Sequence, residues 1–387
     1  MNTKFVYTIS AAVAFSATVF AATQDTSIAE STPSDSILER LAALEQNQST
    51  ETQSSWASKV RVKGDIRYRF QHVDSEDKTT GSDLSTSKNI QRIRARLGVY
   101  ADVNDFIEAG IGLRTGNSAN SGNVTLGDGF DGMDFSVSLA YLRLNPEDGK
   151  YGAVTMGKMK QPWKSSTDLI WDSDVNPEGL AYAYNGKAKN TGLITSAGYF
   201  KVIDNKSETD TDLATLQGAV VQPFGDKIKA TIGASMYYYK NVSTNNIAYA
   251  DDIAYRIGEG FAELAFKDIG PIPFKLYGNF VNNTAEQDEN QGYCFGIKFG
   301  DAKKGKWEAK YDYRDLELHA APSVFADSDF ADGGTGVKGH RIKAKYNFSK
   351  NLQAGFAYIY SERTTQRTQT PYSQQFNSLF LDLMVKF

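Results

Sequence analysis

The sequence predicts an all-β fold: a 16-stranded antiparallel transmembrane β-barrel preceded by a short N-terminal helical segment with coiled-coil spacing. Three observations lead to this fold. Apolar and polar residues alternate with a period of two through most of the chain after residue 59. The alternating segments run about 9 to 14 residues, as a tilted membrane-crossing strand requires. Finally, the connections between them alternate between short and long.

The composition excludes several other classes of protein. The 387 residues include 42 Lys or Arg and 46 Asp or Glu, a balance that argues against nucleic acid as a partner because nucleic-acid-binding domains are normally basic. Aromatic residues make up 12% of the chain, too many for a disordered protein. Cys294 is the single cysteine, so neither an intramolecular disulfide nor a C-x-x-C metal or redox site can form.

Residues 1–21 have the pattern of a signal peptide. Lys4 supplies a positive charge, the stretch 5–20 carries no charge, and small residues end it at Ala21. A membrane anchor is the alternative, but the stretch is short for one and lacks a basic stop-transfer cluster after it. We therefore expect export from the cytoplasm, with cleavage after Ala21 or Ala22.

A polar linker, residues 22–36, leads to a short periplasmic helix predicted over 37–58. Ser36 and Glu39 have the spacing of a capping box, which satisfies free amides of a first helical turn. Spacings of four, three and four then form a heptad seam of Ile37, Leu41, Leu44 and Gln48. Two heptads are too short to be stable alone. The helix is therefore either part of a trimeric coiled coil that joins three barrels or a frayed extension into the periplasm.

The barrel is predicted over residues 59–387. From Val60 to Gln71, apolar side chains take one parity and mostly charged side chains the other. Similar alternation is found in the segments 92–99, 107–114, 227–236, 307–314, 341–348 and 379–387. A soluble sandwich also alternates, but its strands usually run about 5 to 6 residues, so the lengths favour a membrane barrel. Around 136–144 and 180–203 the parity is blurred, and a bulge would account for this.

The connections set the strand number. Short ones are expected near Asn104, Pro146, Asn185, Gly225, Gly270, Lys303 and Ser349. Long ones are expected at 74–88, 116–134, 161–178, 204–211, 241–256, 282–290, 315–337 and 362–375. This pattern joins sixteen strands with both chain ends on one side, as in outer-membrane barrels with periplasmic turns and external loops. Tyr and Phe cluster near segment ends, where they are typical of the two lipid interfaces.

Two local features make a resemblance specific. Gly157-Lys158 and Pro162-Trp163 are similar to the Gly-Lys-x-x-x-Pro-aromatic signature that closes the fifth strand of Gram-negative porins. Phe387 ends an amphipathic strand, as in the assembly signal of outer-membrane barrels. Together with the leader and the helical prefix, these features resemble the Gram-negative outer-membrane porin superfamily, and most of all the putative porin family. The resemblance implies a passive diffusion channel in the cell outer membrane of a Gram-negative bacterium, assembled as a homotrimer.

The polar face is expected to line a water-filled lumen. Its basic members on the first strands, the candidate pore-lining residues, are Arg61, Lys63, Arg67, Arg69, Arg92, Arg94, Arg96 and Arg114. The resemblance implies that the loop 161–178 folds into the barrel and narrows it. The candidate constriction residues in this loop are Lys164, Asp168, Asp172, Asp174 and Glu178. A basic wall would then face an acidic loop and set up a transverse field; alternatively, these acids only solvate an external loop.

The charge of the lumen predicts a weak preference for anions. Further lysines on the polar parity are Lys227, Lys229, Lys275, Lys298, Lys343 and Lys345, although lysines near the periplasmic turns could instead neighbour lipid headgroups. The external loops carry the acids Asp74, Glu76, Asp77, Asp251, Asp252, Glu286, Asp288 and Glu289. They promote solubility or bind lipopolysaccharide through divalent cations. The expected partners are thus outer-membrane lipid, lipopolysaccharide and small hydrophilic solutes, and not nucleic acid.

Enzymatic and metal sites find little support. The chain has no H-E-x-x-H and no G-x-S-x-G, and His72 beside Asp74 is better explained as a solvated strand end. Oxygen ligands at alternate positions from Asp172 to Glu178 resemble part of a calcium loop, but Pro177 stands where such a loop needs glycine. We therefore expect no catalytic residue, no cofactor and no metal, with calcium at these loop acids as the weaker alternative.

Two other functions stay open from sequence alone. A substrate-selective channel for phosphate, sugars or dicarboxylates would need a tighter ladder of basic or aromatic residues. An adhesin-like barrel would bind an external partner through its loops. The path of the loop 161–178 sets the pore radius, and the sequence does not specify that path. Cys294, on the polar parity in mid-strand, is expected to be a small filler.

Overall fold

The structure is a computed structural model that describes residues 56–79, 84–206, 209–242, 253–267, 272–302, 306–365 and 372–387. The predicted leader, the linker and the heptad seam lie outside the described residues. The described chain begins with a 3-10 turn, Trp56–Lys59, and enters the first strand at Val60. Two further 3-10 turns are Pro146–Gly149 and Ser323–Phe325. In the ranges described, no helix has the length and apolar character needed to span a membrane.

The described strands form one antiparallel sheet. In chain order they are β1 (Val60–Asp77), β2 (Ser85–Asn104), β3 (Ile107–Thr115), β4 (Val124–Thr125), β5 (Phe135–Leu144), β6 (Ala153–Lys158), β7 (Glu178–Ala188), β8 (Thr191–Ile203), β9 (Thr211–Phe224), β10 (Ile228–Lys240), β11 (Arg256–Phe266), β12 (Phe274–Asn283), β13 (Gln291–Gly300), β14 (Trp307–Leu316), β15 (Val337–Asn347), β16 (Leu352–Thr365) and β17 (Tyr372–Lys386). The two residues of β4 pair with β2 beyond the end of β3. Because β1 pairs with both β2 and β17, the sheet closes. The other sixteen strands form the closed wall, so the predicted 16-stranded antiparallel barrel is confirmed.

The apolar parity of the strands faces outward. In β10, Ile232 is 66% exposed whereas its neighbour Thr231 is 4% exposed. The same contrast holds in β15, where Ile342 is exposed and Arg341 is fully buried. Exposed aromatic side chains lie near the turn ends of the strands, among them Phe224, Phe299, Trp307, Tyr346 and Phe348. This is the arrangement expected of a barrel wall surrounded by lipid, with an aromatic belt at its interface.

The two stretches of blurred parity contain register shifts. Ser138 of β5 is an extra residue between the partners of Gly112 and Leu113 in β3. Val202 of β8 is an extra residue opposite β9. One inserted residue moves the following side chains to the other face of the sheet. The predicted bulge is therefore present in each stretch and explains why the alternation could not be read there.

The predicted turn near Asn185 is wrong. Asn185 lies inside β7, and the chain reverses after Lys189, which has a positive φ of 56°. The pair Asn185-Gly186 has the composition of a hairpin turn. Here, however, the ring of Tyr184 lies where a Cβ of Gly186 would be. The glycine makes room for an aromatic side chain within a strand instead of bending the chain.

Two connections fold into the barrel. We call residues 159–177, between β6 and β7, the first inner loop, and residues 317–336, between β14 and β15, the second inner loop. Both contribute buried apolar side chains to one cluster with inward-facing residues of the wall. Its larger members include Trp163, Leu169, Trp171, Phe200, Tyr237, Tyr255, Leu316 and Phe330. The interpretation of 315–337 as an external loop is therefore wrong, because its apolar residues are better buried inside the barrel.

Candidate functional site

The first inner loop leaves the wall at a glycine and is anchored by a tryptophan. Gly157 has a φ of 110°, and a Cβ there would clash with the carbonyl oxygen of Ala140, so no other residue fits without strain. Trp163 is buried, and its ring centroid lies 4.8 Å from that of Trp171 and 5.6 Å from that of Tyr237 in β10. The Gly-Lys-x-x-x-Pro-aromatic signature thus marks the exit of the loop and its anchor.

Hydrogen bonds hold the first inner loop along the inner wall. The backbone N–H of Lys164 donates to Gln217 of β9 at 2.8 Å, and its ammonium group lies 2.9 Å from Glu263 of β11. The hydroxyl of Thr167 donates to the side-chain oxygen of Asn279 in β12 at 2.7 Å. Since these partners lie on β9, β11 and β12, the loop crosses the interior away from β6, the strand it leaves.

At the far side of this path Asp168 enters a buried ion cluster, which we define as Asp168, Asp312, Arg314, Asp327 and Arg341. One oxygen of Asp168 lies 2.6 Å from Arg314 and 2.6 Å from Arg341. The same two guanidinium groups contact Asp312 and Asp327 at 2.5–3.5 Å. Burial opposes ionisation of Asp168, but Arg341 and Arg314 outweigh it and hold the pKa of this carboxyl well below its usual range.

Asp174 brings the loop to the arginines of β2. Its carboxylate lies 3.2 Å from Arg96 and 3.8 Å from Arg94, and both arginines also contact Asp65 of β1. Arg114 of β3 donates to the backbone carbonyl of Asp174 at 2.9 Å. The sequence-predicted arginines and this loop acid therefore meet in direct ion pairs rather than across an open gap.

Asp172 lies where the two inner loops touch. Its carboxyl accepts hydrogen bonds from the backbone N–H groups of Asp174, at 2.8 Å, and Ser328, at 3.2 Å. Its backbone N–H donates to the carbonyl of Phe325 at 2.8 Å. Burial and the neighbouring Asp327 raise the pKa of Asp172 to about 8. The side chain is therefore mostly protonated at neutral pH, unlike Asp168.

The second inner loop reaches the arginines of β1. Arg69 binds Asp382 of β17 in a bidentate arrangement, at 2.7 and 2.9 Å, and lies 2.8 Å from Asp329 of this loop. Burial raises the pKa of Asp329, but Arg69 more than compensates and lowers it below the usual range. Arg67 lies 3.7 Å from Asp382. Arg67 and Arg69, the two arginines predicted in the middle of β1, thus share the carboxylate of Asp382 on the inner face of the barrel.

Other predicted residues lie outside this region. Arg61 pairs with acids of β2 and β3 near the turn end of the barrel, where Lys63 is exposed. Arg92 lines an opening at the loop end. The constriction assignment is wrong for Glu178, because this residue begins β7 and pairs with Lys158 at the base of the loop.

A charged cavity remains between the inner loops and the wall formed by β1, β2 and β15–β17. Its volume is about 470 Å³, and basic and acidic side chains from both sides line it. Prominent among them are Arg67, Arg94, Arg96, Asp172, Lys343 and Asp382. Polar groups of this density keep such a space hydrated. The arrangement therefore leaves an aqueous space beside a side of the barrel that is filled by apolar packing.

Sequence reasoning missed Arg314, Arg341 and the second inner loop. The polar parity of β14 and β15 gives the inward direction of both arginines, but nothing in the sequence pairs them with Asp168. The second inner loop did carry a signal. It contains large apolar side chains, which are unusual in a solvent-exposed loop and are expected to be buried against other parts of the protein. These residues are Leu318, Phe325 and Phe330.

The acids that resemble a calcium loop do not converge. Asp174 faces arginines and Glu178 faces Lys158, while Asp172 accepts backbone hydrogen bonds. Over the ranges that the structure describes, no group of three or more His, Cys, Asp or Glu residues is placed to hold a metal ion. Cys294 is buried on the inward parity of β13, with its Sγ 4.0 Å from Asp312.

Comparison with known proteins agrees with this architecture. The outer membrane channel DcaP of Acinetobacter baumannii is 14% identical, over 85% of this chain and 97% of that chain, with a TM-score of 0.49. The high pH structure of OprB from Pseudomonas putida is 10% identical, over 87% of this chain and 96% of that chain, with a TM-score of 0.56. The second of these likenesses supports the fold. The sequence profile of the Putative porin family matches residues 77–254 and 244–387. The chain therefore belongs to the Putative porin family of outer-membrane channels.

Proposed function

We propose that the protein forms a water-filled channel through which small hydrophilic solutes and ions diffuse passively across the outer membrane. The observation that carries this proposal is the charged cavity between the inner loops and the wall. Its position inside a barrel whose outer face is apolar gives polar solutes a path that lipid does not.

The attachment of the inner loops supports a passive channel. The first inner loop is fixed at its anchor by Trp163 and at its far side by Asp168, which contacts two buried arginines. The second inner loop is fixed to it by Phe325, whose ring stacks on Trp171 with centroids 5.4 Å apart. Because packing and ion pairs hold both loops at several points, a static opening is expected rather than a gate.

A weak anion preference is part of the proposal. Loop acids in the charged cavity are largely engaged by arginines, as Asp174 is by Arg96 and Asp329 is by Arg69. Asp172 is mostly neutral at pH 7 because of its raised pKa. Wall lysines closer to the turns, such as Lys345, face the lumen, where they outnumber the acids beside them. The potential along the path is therefore expected to favour anions modestly.

We also propose that residues 1–21 are removed during export and that the barrels assemble as homotrimers in contact with outer-membrane lipid and lipopolysaccharide. The uncharged leader and the heptad seam of residues 37–48 support this. Mass spectrometry of the protein extracted from outer membranes tests the cleavage. Chemical crosslinking of the full mature chain, compared with a variant lacking residues 37–55, tests whether the helix holds three copies together.

Bilayer recordings test the channel itself. The purified protein is added to a planar bilayer that separates two concentrations of KCl, and the zero-current potential is measured. We expect stable, ohmic current steps. The reversal potential should have the sign of the chloride equilibrium potential and should be much smaller than that potential. A strong preference for potassium would contradict the anion preference, and folded protein that inserts without conducting would contradict the channel.

A further inference from the structure

Four lysines form a continuous row on the inner face of four adjacent strands. Lys275 of β12 lies directly opposite Lys298 of β13. Lys310 of β14 lies opposite both Lys298 and Lys343 of β15. Residues paired in this way have Cβ atoms about 4.5–5.5 Å apart, and like charges so placed repel each other. We call these four residues the lysine row; an arrangement of this kind is unfavourable unless negative charge is brought to it.

The carboxylates at one end of the lysine row are shared between lysines. Glu263 lies 3.2 Å from Lys275 but also 2.9 Å from Lys164 of the first inner loop. Glu308 lies 3.3 Å from Lys298 and 3.9 Å from Lys345 of β15. Each glutamate therefore offsets only part of the positive charge around it.

At the other end the row adjoins the buried ion cluster. Lys310 lies 3.3 Å from Asp312, but Asp312 already belongs to the buried ion cluster and contacts Arg314 and Arg341. Among the residues that the structure describes, no carboxylate forms an ion pair with Lys343. The ion cluster has three aspartates and two arginines, so it offsets one lysine charge at this end, and the row as a whole keeps a surplus of positive charge.

A cavity of about 270 Å³ lies in front of the lysine row. All four row lysines line it, together with Lys345, and its acids are Asp168 and Glu308. Ser166 and Asp168 close it on the side of the first inner loop. The row itself lies close to the turn ends of its strands, since Lys275 is the second residue of β12. The cavity thus lies on the turn side of the first inner loop, directly next to it, and this is the periplasmic side in the predicted topology.

We propose that the lysine row is a binding site for a small oxyanion that carries more than one negative charge. Each ammonium group can donate to a different oxygen of such an anion, in hydrogen bonds strengthened by charge. A dianion also relieves the repulsion between several lysines at once, which a single chloride ion cannot do. This inference rests on the proposed function, because an anion would occupy the site while it diffuses through the lumen.

Block of chloride current by inorganic phosphate tests the site. Chloride currents are recorded in planar bilayers at about pH 8, where phosphate is mainly a dianion, while phosphate is added on the periplasmic side. The wild-type current should fall in a saturable way. Lys310→Gln and Lys343→Gln should each raise the half-blocking concentration by about tenfold, the equivalent of one charge-assisted hydrogen bond. Lys343→Arg, which keeps the charge, should stay close to the wild type.

The matched control is Lys88→Gln, which removes a lysine that lines the opening at the loop end of the barrel, away from the row. It should leave phosphate block unchanged. Heat-modifiable migration on gels shows for each variant that the barrel has folded. A channel that conducts chloride without saturable phosphate block, or block that Lys88→Gln weakens as much as Lys343→Gln, overturns the lysine-row site while the proposed function stands. Folded, inserted protein that conducts no ion overturns the proposed function first.

Discussion

At the scale of single residues, the most constrained group is the buried ion cluster. Arg314 and Arg341 have 1% and 0% of their side chains exposed, and three aspartates from the wall and both inner loops surround them. Charges removed from water in this way are tolerated only while their partners stay in place. Asp168 therefore fixes the first inner loop to the barrel wall, and it also places a negative charge beside the lumen.

Asp168→Asn should loosen the first inner loop. The substitution leaves two buried guanidinium groups with less negative charge, and breaking a buried ion pair costs about 3–5 kcal/mol. We expect a lower urea midpoint for unfolding from lipid vesicles and noisier open-channel current. Ser166→Ala is the matched control, because the Ser166 hydroxyl makes no hydrogen bond with any described residue. Equal midpoints for the two variants would contradict the role of Asp168.

Asp172 should make ion selectivity depend on pH. Its pKa is raised to about 8 by burial and by Asp327, so the carboxyl gains its charge as the pH rises from about 7 to about 9. The proposed anion preference of the wild type should weaken over this interval, as measured by the reversal potential. Asp172→Asn should abolish that change, and a shift in the variant as large as in the wild type would contradict the assignment.

The same raised pKa affects stability with a definite sign. An unfolded chain releases this proton near its ordinary pKa of about 3.9, whereas the folded protein retains it up to about 8. Stability should therefore fall between about pH 4 and about pH 8 through this residue, and Asp172→Asn should remove that contribution. Urea midpoints at the two pH values, compared between wild type and variant, measure it.

For single residues, the sequence predicted which side chains face inward but not which residues they contact. The alternation places Arg69, Arg96 and Arg341 on the inward face, where the structure has them. It does not reveal that Asp168 contacts Arg341, because the two lie far apart along the chain and loops obey no periodicity. The prediction that Glu178 belongs to the loop was wrong for the same reason, because no periodic spacing marks where the loop ends and β7 begins.

At the scale of elements, the second inner loop is the feature that changes the interpretation most. Phe330 is 1% exposed, and the guanidinium carbon of Arg314 lies 4.4 Å from its ring centroid. Asp327 and Asp329 of the same loop contact arginines of β14, β15 and β1. The barrel lumen is thus narrowed by two loops that support each other, where the sequence predicted one.

Phe330→Ala should destabilise this pair of loops. Removing a fully buried phenylalanine costs about 3–5 kcal/mol, and here a cation–π contact is lost with it. We expect the urea midpoint to fall and the fluorescence of Trp171, which stacks on Phe325, to change. Val324→Ala, at an exposed position of the same loop, is the control and should differ little from the wild type. A midpoint for Phe330→Ala equal to that of Val324→Ala would mean that the loop is not fixed by packing.

Elements of the wall were the most predictable part of the molecule. A strand with lipid on one side and water on the other must alternate, so β1, β10 and β15 were readable directly. Alternation failed where Ser138 or Val202 is inserted as an extra residue. Hairpin signals were less reliable, as Asn185-Gly186 shows, because glycine serves both turns and close packing of aromatic rings.

Across the whole molecule, the interior divides between apolar packing and charged cavities. Apolar packing of the inner loops covers parts of β8–β12 and also reaches the loop-end parts of β15–β17, while charged groups line the cavity beside β1, β2 and the turn-side parts of β15–β17. The lysine row lies below this opening, toward the turns. In the proposed channel, an anion that enters from the loop end would therefore pass the arginines of β1 and β2 before it reaches the lysines.

The proposed channel requires that the polar parity of the strands lines water and that the apolar parity touches lipid. Single cysteines in a Cys294→Ser background test it, with the protein in lipid vesicles and a charged, membrane-impermeant thiosulfonate as reagent. Lys229→Cys and Lys345→Cys, on the inward parity, should react and change the channel current, whereas Ile232→Cys and Ile342→Cys, on the outward parity, should not react. Equal reaction on both parities, or reaction of the isoleucine positions alone, would mean that the polar parity does not line an aqueous lumen.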